Sequence, residues 1–259
     1  MKPMDKEKYT YEDLLDIIAR LRAKDGCPWD RAQTHESLKG CMLEEAYEVV
    51  DAINEKDDDN LKEELGDVLL QVVMHSQIAK ETGRFDMSEV VDEVARKMVR
   101  RHPHIFGNAK AQDSEAVLSR WEDIKKQEKN EASLYEGVCR IPKAMPANMR
   151  AGKIMKKVAL AGFNYGDKSE VEAKVKKDFE GLKNAALEGS QEEIEGRFGV
   201  LMFDLVNLSR FLGVNAENSL TNVIEKFINR LGSVENLANT EDLGISGLPP
   251  QLFETLWDL

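Results

Sequence analysis

Apolar residues recur along this chain at spacings of three and four, and no segment sustains the period-two alternation of a half-buried strand. The pattern predicts helices over roughly 11–24, 35–55, 58–82, 86–101 and 113–130. A second set is predicted over roughly 145–161, 168–187, 191–213, 215–231 and 249–257. Between the sets, EASLYEGVCRIPKAMPA carries Gly137, Pro142 and Pro146, the punctuation of a connector. The expected fold is all-α, with helical-bundle domains over 1–132 and 147–259 joined by a connector at 133–146.

The two sets read as one pattern written twice. Gly26-Cys-Pro-Trp29 ends the first helix, and Gly162-Phe-Asn-Tyr165 ends its later counterpart. Gly66 in ELGDVLLQVV matches Gly199 in RFGVLMFDLV, and Lys97 with Arg101 matches Lys226 with Arg230. The offsets, 136, 133 and 129, drift as short loop deletions would make them, so a tandem duplication is expected.

Two of these helices carry acids in different settings. On a helical wheel of residues 43–53, Leu43, Ala46, Tyr47, Val49, Val50 and Ile53 fill one side, and Glu44, Glu45, Glu48 and Asp51 the other. Alone, that is an amphipathic helix with a wet acidic face. From Leu65 to Ile78, however, the next helix is apolar nearly all round, which predicts burial. Glu64, Asp67, Gln71 and His75 form one narrow polar strip along it, with no lysine or arginine on the strip to pair them. Buried carboxylates are costly unless paired or bound to a cation. Acids converging from both helices suit a hard cation, Mg²⁺ or Mn²⁺, because oxygen donors without thiolate or imidazole favour such ions. Asp51 and Glu63 are left to solvent.

Lys97, Arg100 and Arg101 cluster at the end of the next helix. They complement the helix dipole, and beside a carboxylate–metal centre Lys97 and Arg101, one turn apart, can grip a polyphosphate. Trp29 in GCPWD has two readings, a packing anchor or a surface on which a base stacks. His35 reads either as a cap for the following helix or as a ligand contact.

Composition narrows the partners. With 259 residues and a formal charge of −12, the chain is a poor match for a nucleic-acid polymer, whose phosphates reward basic surfaces. A small phosphorylated ligand remains open, since bound cations invert the local charge. No run of 18 apolar residues predicts a membrane span, and MKPMDKEKYTYED lacks the apolar core of a secretory leader. Cys27, Cys41 and Cys139, without CxxC spacing, fit reduced thiols and a cytoplasmic protein.

GCPWDRAQTHESL, LEEAYEVVDAI, EELGDVLLQVV and RRHPHIFG together resemble the MazG nucleoside triphosphate pyrophosphohydrolases, whose superfamily signature is EExxE followed by ExxD. The resemblance spans nearly the whole chain and is densest in the first 130 residues. It implies Mg²⁺-dependent hydrolysis of a (deoxy)nucleoside triphosphate to the monophosphate and pyrophosphate, a house-cleaning of nucleotide pools. By position, EExxE falls on Glu44, Glu45 and Glu48, ExxD on Glu64 and Asp67, and the basic pair on Lys97 and Arg101. The expected metal ligands are these five acids. Glu45, Glu48, Glu64 and Asp67 are the expected catalytic groups, with Glu45 taking the proton of the attacking water.

The second half departs from the signature. Lys177, Asp178 and Gly181 stand where EExxE is expected, and Arg197 and Val200 where ExxD is expected. That half is therefore expected to be catalytically dead, packing in a homodimer or keeping nucleotide contacts through Lys226, Arg230 and Trp257. The competing reading is a non-catalytic nucleotide sensor or protein-binding regulator on the same scaffold. A related phosphohydrolase of phosphoribosyl nucleotides is a third.

Overall fold

The computed structural model describes residues 6–108, 113, 117, 120, 121, 124, 125, 128, 133–163 and 166–240. The expected helix at 249–257, with Trp257, lies outside the described residues, as does most of the one at 113–130. The chain divides into two compact units, Met1–Lys125 and Lys126–Leu259. Every regular element among the described residues is helical, and no described helix is long and apolar enough to cross a membrane.

The first unit begins with α1 (Tyr11–Leu21), started by a reciprocal capping box between Thr10 and Asp13. Its end turns sharply through Gly26, where a Cβ would sit 2.3 Å from the Leu21 carbonyl oxygen, so only glycine permits the GCPWD turn. Pro28 then opens the short α2 (Pro28–Ala32) at the position where a missing N–H costs least. The buried Arg22 holds this loop, donating to the Asp30 and Gln33 carbonyls and, at 2.9 and 2.8 Å, to Glu81.

α3 (Lys39–Glu55) and α4 (Asp58–Glu81) form an antiparallel hairpin that dominates the unit. Lys56 makes the turn in the left-handed region at φ 59°, and the Asp57 carboxylate caps α4 through the N–H groups of Asp59 and Asn60. α5 (Met87–Arg101) starts from an Asp86–Glu89 capping box, and α6 (Pro103–Phe106) follows at Pro103. The core, Ile18, Leu38, Val73, Met74 and Ile78, gathers α1, the start of α3 and the C-terminal half of α4.

That placement corrects one expectation. Only the later half of the all-round apolar stretch in α4 is buried; Leu65 is 52% exposed and Leu69 36%. Opposite them on α3, Leu43, Tyr47, Val50 and Ile53 are also exposed. Among the described residues, no helix of the unit covers this end of the hairpin.

The second unit comprises α7 (Leu134–Cys139), α8 (Ala147–Leu160), α9 (Lys168–Glu188), α10 (Gln191–Leu212) and α11 (Ala216–Thr240). α7 folds within the stretch expected as connector, nucleated by the Ser133 cap, and packs on α8. α9 and α10 form a second antiparallel hairpin, against which α8 lies, with α11 packed mainly on α8. α11 runs through Gly232, nine residues past the expected end at 231, because Val234 and Ala238 are buried against Phe227 and Leu231 along one stripe.

Candidate metal centre

The antiparallel register of α3 and α4 decides which acids meet. One oxygen from each of Glu45, Glu48 and Glu64 lies within 4.8 Å of the others, the one such acid cluster among the described residues. Asp67 stands beside it, half-buried, and its charge bears on Glu45. Glu44 is exposed and bears on Glu48 from outside the three-oxygen set. Of the five acids expected as ligands, three therefore converge and two flank. Asp51 and Glu63 are exposed.

The electrostatics show strain among like charges. Desolvation, then the Asp67 charge, pushes the Glu45 carboxyl above its ordinary range. Glu48 is raised likewise, by desolvation and then by Glu64 and Glu44. A hard divalent cation fits this donor set: the ligands offered are carboxylate oxygens that face one another, and Glu45 and Glu48 resist ionising unaided. Gln71, one turn beyond Asp67, is buried and donates from Nε2 to Glu45 Oε1 at 3.4 Å, while its Oε1 is buried without a partner. Its place on the polar strip of α4 was visible in the sequence; its bond to Glu45 depends on the hairpin register.

Lys97 and Arg101 are half-buried on α5, which packs on α4. Arg101 lies 5.8 Å from the centre of the Trp121 ring. Trp29 is 64% exposed, so packing does not account for it; it borders a cavity of about 130 Å³ shared with Gln71, Leu38 and Met74.

A group that sequence reasoning did not assemble lies further along α4. His35 and His75 stack with parallel rings, their Nδ1 atoms 2.7 Å apart, and Arg84 Nη2 reaches His35 Nε2 at 2.6 Å. Arginine can only donate, so His35 accepts at Nε2 and donates from Nδ1 to His75. Burial, then the neighbouring His35, lowers the His75 pKa, with Glu36 opposing.

The second unit holds a different arrangement in the matching register. Lys174 Nζ lies 2.6 Å from Asp178 Oδ2 and 2.6 Å from Asp204 Oδ2, an ammonium between two carboxylates. The Arg197 guanidinium fills the space beside Gly181, 3.2 Å from where a Cβ would stand. Lys226 is exposed and Arg230 half-buried on α11.

A carboxylate-only centre on an antiparallel helical hairpin defines an all-α protein of the metal-dependent hydrolase class. Residues 33–106, which include every acid of the cluster, match the MazG nucleotide pyrophosphohydrolase domain. The chain is 41% identical over 248 residues to the nucleoside triphosphate pyrophosphohydrolase/pyrophosphatase MazG of Thermotoga maritima, spanning 96% of this chain and 94% of that protein. It is 40% identical over 247 residues to the nucleoside triphosphate pyrophosphohydrolase of Escherichia coli, spanning 94% of each. An uncharacterised Bacillus subtilis protein is 41% identical over 262 residues, 99% of this chain and 53% of its own length. The chain belongs to the MazG family.

Proposed function

We propose that this protein hydrolyses nucleoside triphosphates, ordinary or aberrant, to the monophosphate and pyrophosphate, and that the first unit does so with Mg²⁺, for which Mn²⁺ substitutes. The observation that carries the reading is the convergence of Glu45, Glu48 and Glu64 inside the segment that matches the family domain. The names of the Thermotoga maritima and Escherichia coli relatives supply the substrate class.

Glu45, Glu48 and Glu64 would hold the cation, with Asp67 and Glu44 flanking. When bound, the cation shields the triphosphate and polarises the α-phosphoryl group. A water oxygen then bonds to the α-phosphorus, the α–β bridging P–O bond breaks, and pyrophosphate leaves. Glu45 takes the water's proton as general base. Lys97 makes no ion pair among the described residues, which leaves its ammonium for the phosphates, with Arg101 one turn on. Trp29 offers an exposed ring for the base.

The uncovered face of Leu43, Tyr47, Val50, Ile53, Leu65 and Leu69 supports a homodimer with this end of the hairpin at its interface. Free thiols at Cys27, Cys41 and Cys139 suit the cytoplasm. The Lys174 triad, which takes the place of an acid cluster in the second unit, favours a binding rather than catalytic role for that unit. The test is pyrophosphate release over a panel of triphosphates, with Mg²⁺ and with chelator. Glu45→Gln and Asp67→Asn abolish release and Lys226→Ala has a small effect; full activity in both carboxylate variants would place the reaction elsewhere. Binding of triphosphate without turnover by the wild type would favour a sensor.

A further inference from the structure

The second unit contains a cleft of about 560 Å³ along α10, within the size range of small-molecule sites. Its wall is largely apolar, formed by Met155, Val200 and Phe203, with Phe203 41% exposed. Gly196 and Gly199, on the same face of α10, leave the helix backbone bare, and a Cβ on either would meet nothing within 4 Å. A glycine inside a helix costs about 1 kcal/mol relative to alanine. No contact among the described residues requires that cost at these two positions.

The polar end of the cleft is specific. Asn207 lines it at 3% exposure, and no hydrogen bond to its side-chain amide occurs among the described residues. Its amide atoms are not sealed off from the cleft, so they are open to a ligand there. One turn before it, Asp204 adds a buried carboxyl group, its Oδ2 held by Lys174 at 2.6 Å. An amide beside a carboxylate matches the donor–acceptor edge of a nucleobase. The bare backbone and the Phe203 ring suit a flat heteroaromatic face.

Charge excludes a phosphorylated end. Among the described residues Lys174 is the one cation on the cleft wall, and two carboxylates at 2.6 Å already claim it, raising its pKa. Its ammonium also stands where carboxylates would otherwise gather a metal. Phosphate therefore finds neither a free cation nor a bridging ion there.

We propose that this cleft is a metal-independent binding site for an uncharged nucleoside, its base lying against Gly196, Gly199 and Phe203 with its edge on Asn207 and Asp204. The site is separate from the acid cluster and makes the second unit a reader of small nucleosides rather than a second hydrolase.

The experiment is calorimetric titration of the full chain, in chelator, with adenosine, guanosine, cytidine and uridine, and with ATP for comparison. Hydrolysis is silent without divalent metal, so the result is independent of the function proposed above. At least one nucleoside binds, at least tenfold more tightly than ATP. Gly199→Leu and Asn207→Leu each weaken that nucleoside at least tenfold, and Lys62→Ala, on the exposed surface of the first unit, leaves it unchanged. Gly199→Ala separates binding from folding, because alanine raises the melting temperature while its methyl weakens the nucleoside. Absence of binding at millimolar nucleoside overturns the proposal, as does binding that ignores both cleft substitutions. Tighter ATP binding overturns it too. If Gly199→Leu changes only the sedimentation of the protein, the cleft is an interface between copies of the chain.

Discussion

Glu48 on α3 and Glu64 on α4 bring carboxylate oxygens within 4.8 Å of each other, with Glu45 completing the set. At the facing positions 133 residues further along, Gly181 has no side chain and Arg197 fills the gap. The same helical register thus brings acids together in one unit and sets a guanidinium in the other. Where like charges meet, a cation must be supplied from outside; where arginine and lysine stand in, it is already covalently present.

The acid cluster makes metal-free stability depend on pH. A carboxyl whose pKa is raised by folding binds its proton more tightly in the native chain, so its ionisation is destabilising and stability falls as pH rises through the native value. Comparison of the wild type with Glu45→Gln/Glu48→Gln in chelator isolates this contribution. The variant melts higher than the wild type at pH 8, and the gap closes at pH 5. Saturating Mg²⁺ reverses the order at pH 8, because only the wild type gains from binding the ion.

Gln71 positions Glu45. Its Nε2 holds Glu45 Oε1 at 3.4 Å from a buried site, the kind of outer contact whose loss costs roughly 10–100-fold in metal affinity. Gln71→Leu lowers Mn²⁺ affinity by that factor in a titration read by electron paramagnetic resonance, and raises the Mg²⁺ concentration needed for half-maximal hydrolysis. Gln71→Glu adds a carboxylate and retains tighter Mn²⁺ binding than the leucine variant.

The chain of bonds from Arg84 through His35 to His75 requires neutral imidazoles. His75 has its pKa lowered from 6.5, so the unfolded chain takes up its proton first and stability falls as pH drops below about 6.5. Glu36 opposes the lowering at His75, and Arg84 contacts the pair through His35 Nε2. Proton NMR places the His75 midpoint below that of a free imidazole. His75→Gln removes part of the acid-side loss of stability seen in denaturant unfolding between pH 7 and 5.

The exposed apolar face of the first hairpin predicts a concentration-dependent assembly. Tyr47 is 55% exposed and Leu65 52%, on adjacent helices at the acid-bearing end. Tyr47→Glu/Leu65→Glu converts a dimer to a monomer in analytical ultracentrifugation and retains helical circular dichroism, since neither side chain belongs to the core of Ile18, Leu38, Val73, Met74 and Ile78.

Local chemistry made much of this legible. Apolar periodicity placed the start of α4 at 58, where the structure has it, and the acids of α3 and α4 announced a shared site. The start of α3 was read four residues early, because Thr34 and Ser37 cap each other, N–H to hydroxyl at 3.0 and 3.1 Å, and hold 34–37 as a turn. The apolar wheel of α4 was read as burial, yet periodicity reports what a helix must cover and not which neighbour covers it. His35 and His75 stand 40 residues apart, and only the turn after α2 brings them together. For the same reason the sequence showed five acids and could not say that Glu45, Glu48 and Glu64 would be the three to converge.

The most direct measurement of whether the acid cluster of the first unit carries hydrolysis is pyrophosphate release by Glu48→Gln and Glu64→Gln at saturating Mg²⁺ and triphosphate, with folding verified by circular dichroism. Each variant loses roughly 10²–10³-fold in turnover, the scale of several kcal/mol of lost charge stabilisation in the transition state. Wild-type turnover in both folded variants would contradict a centre built on these two carboxylates.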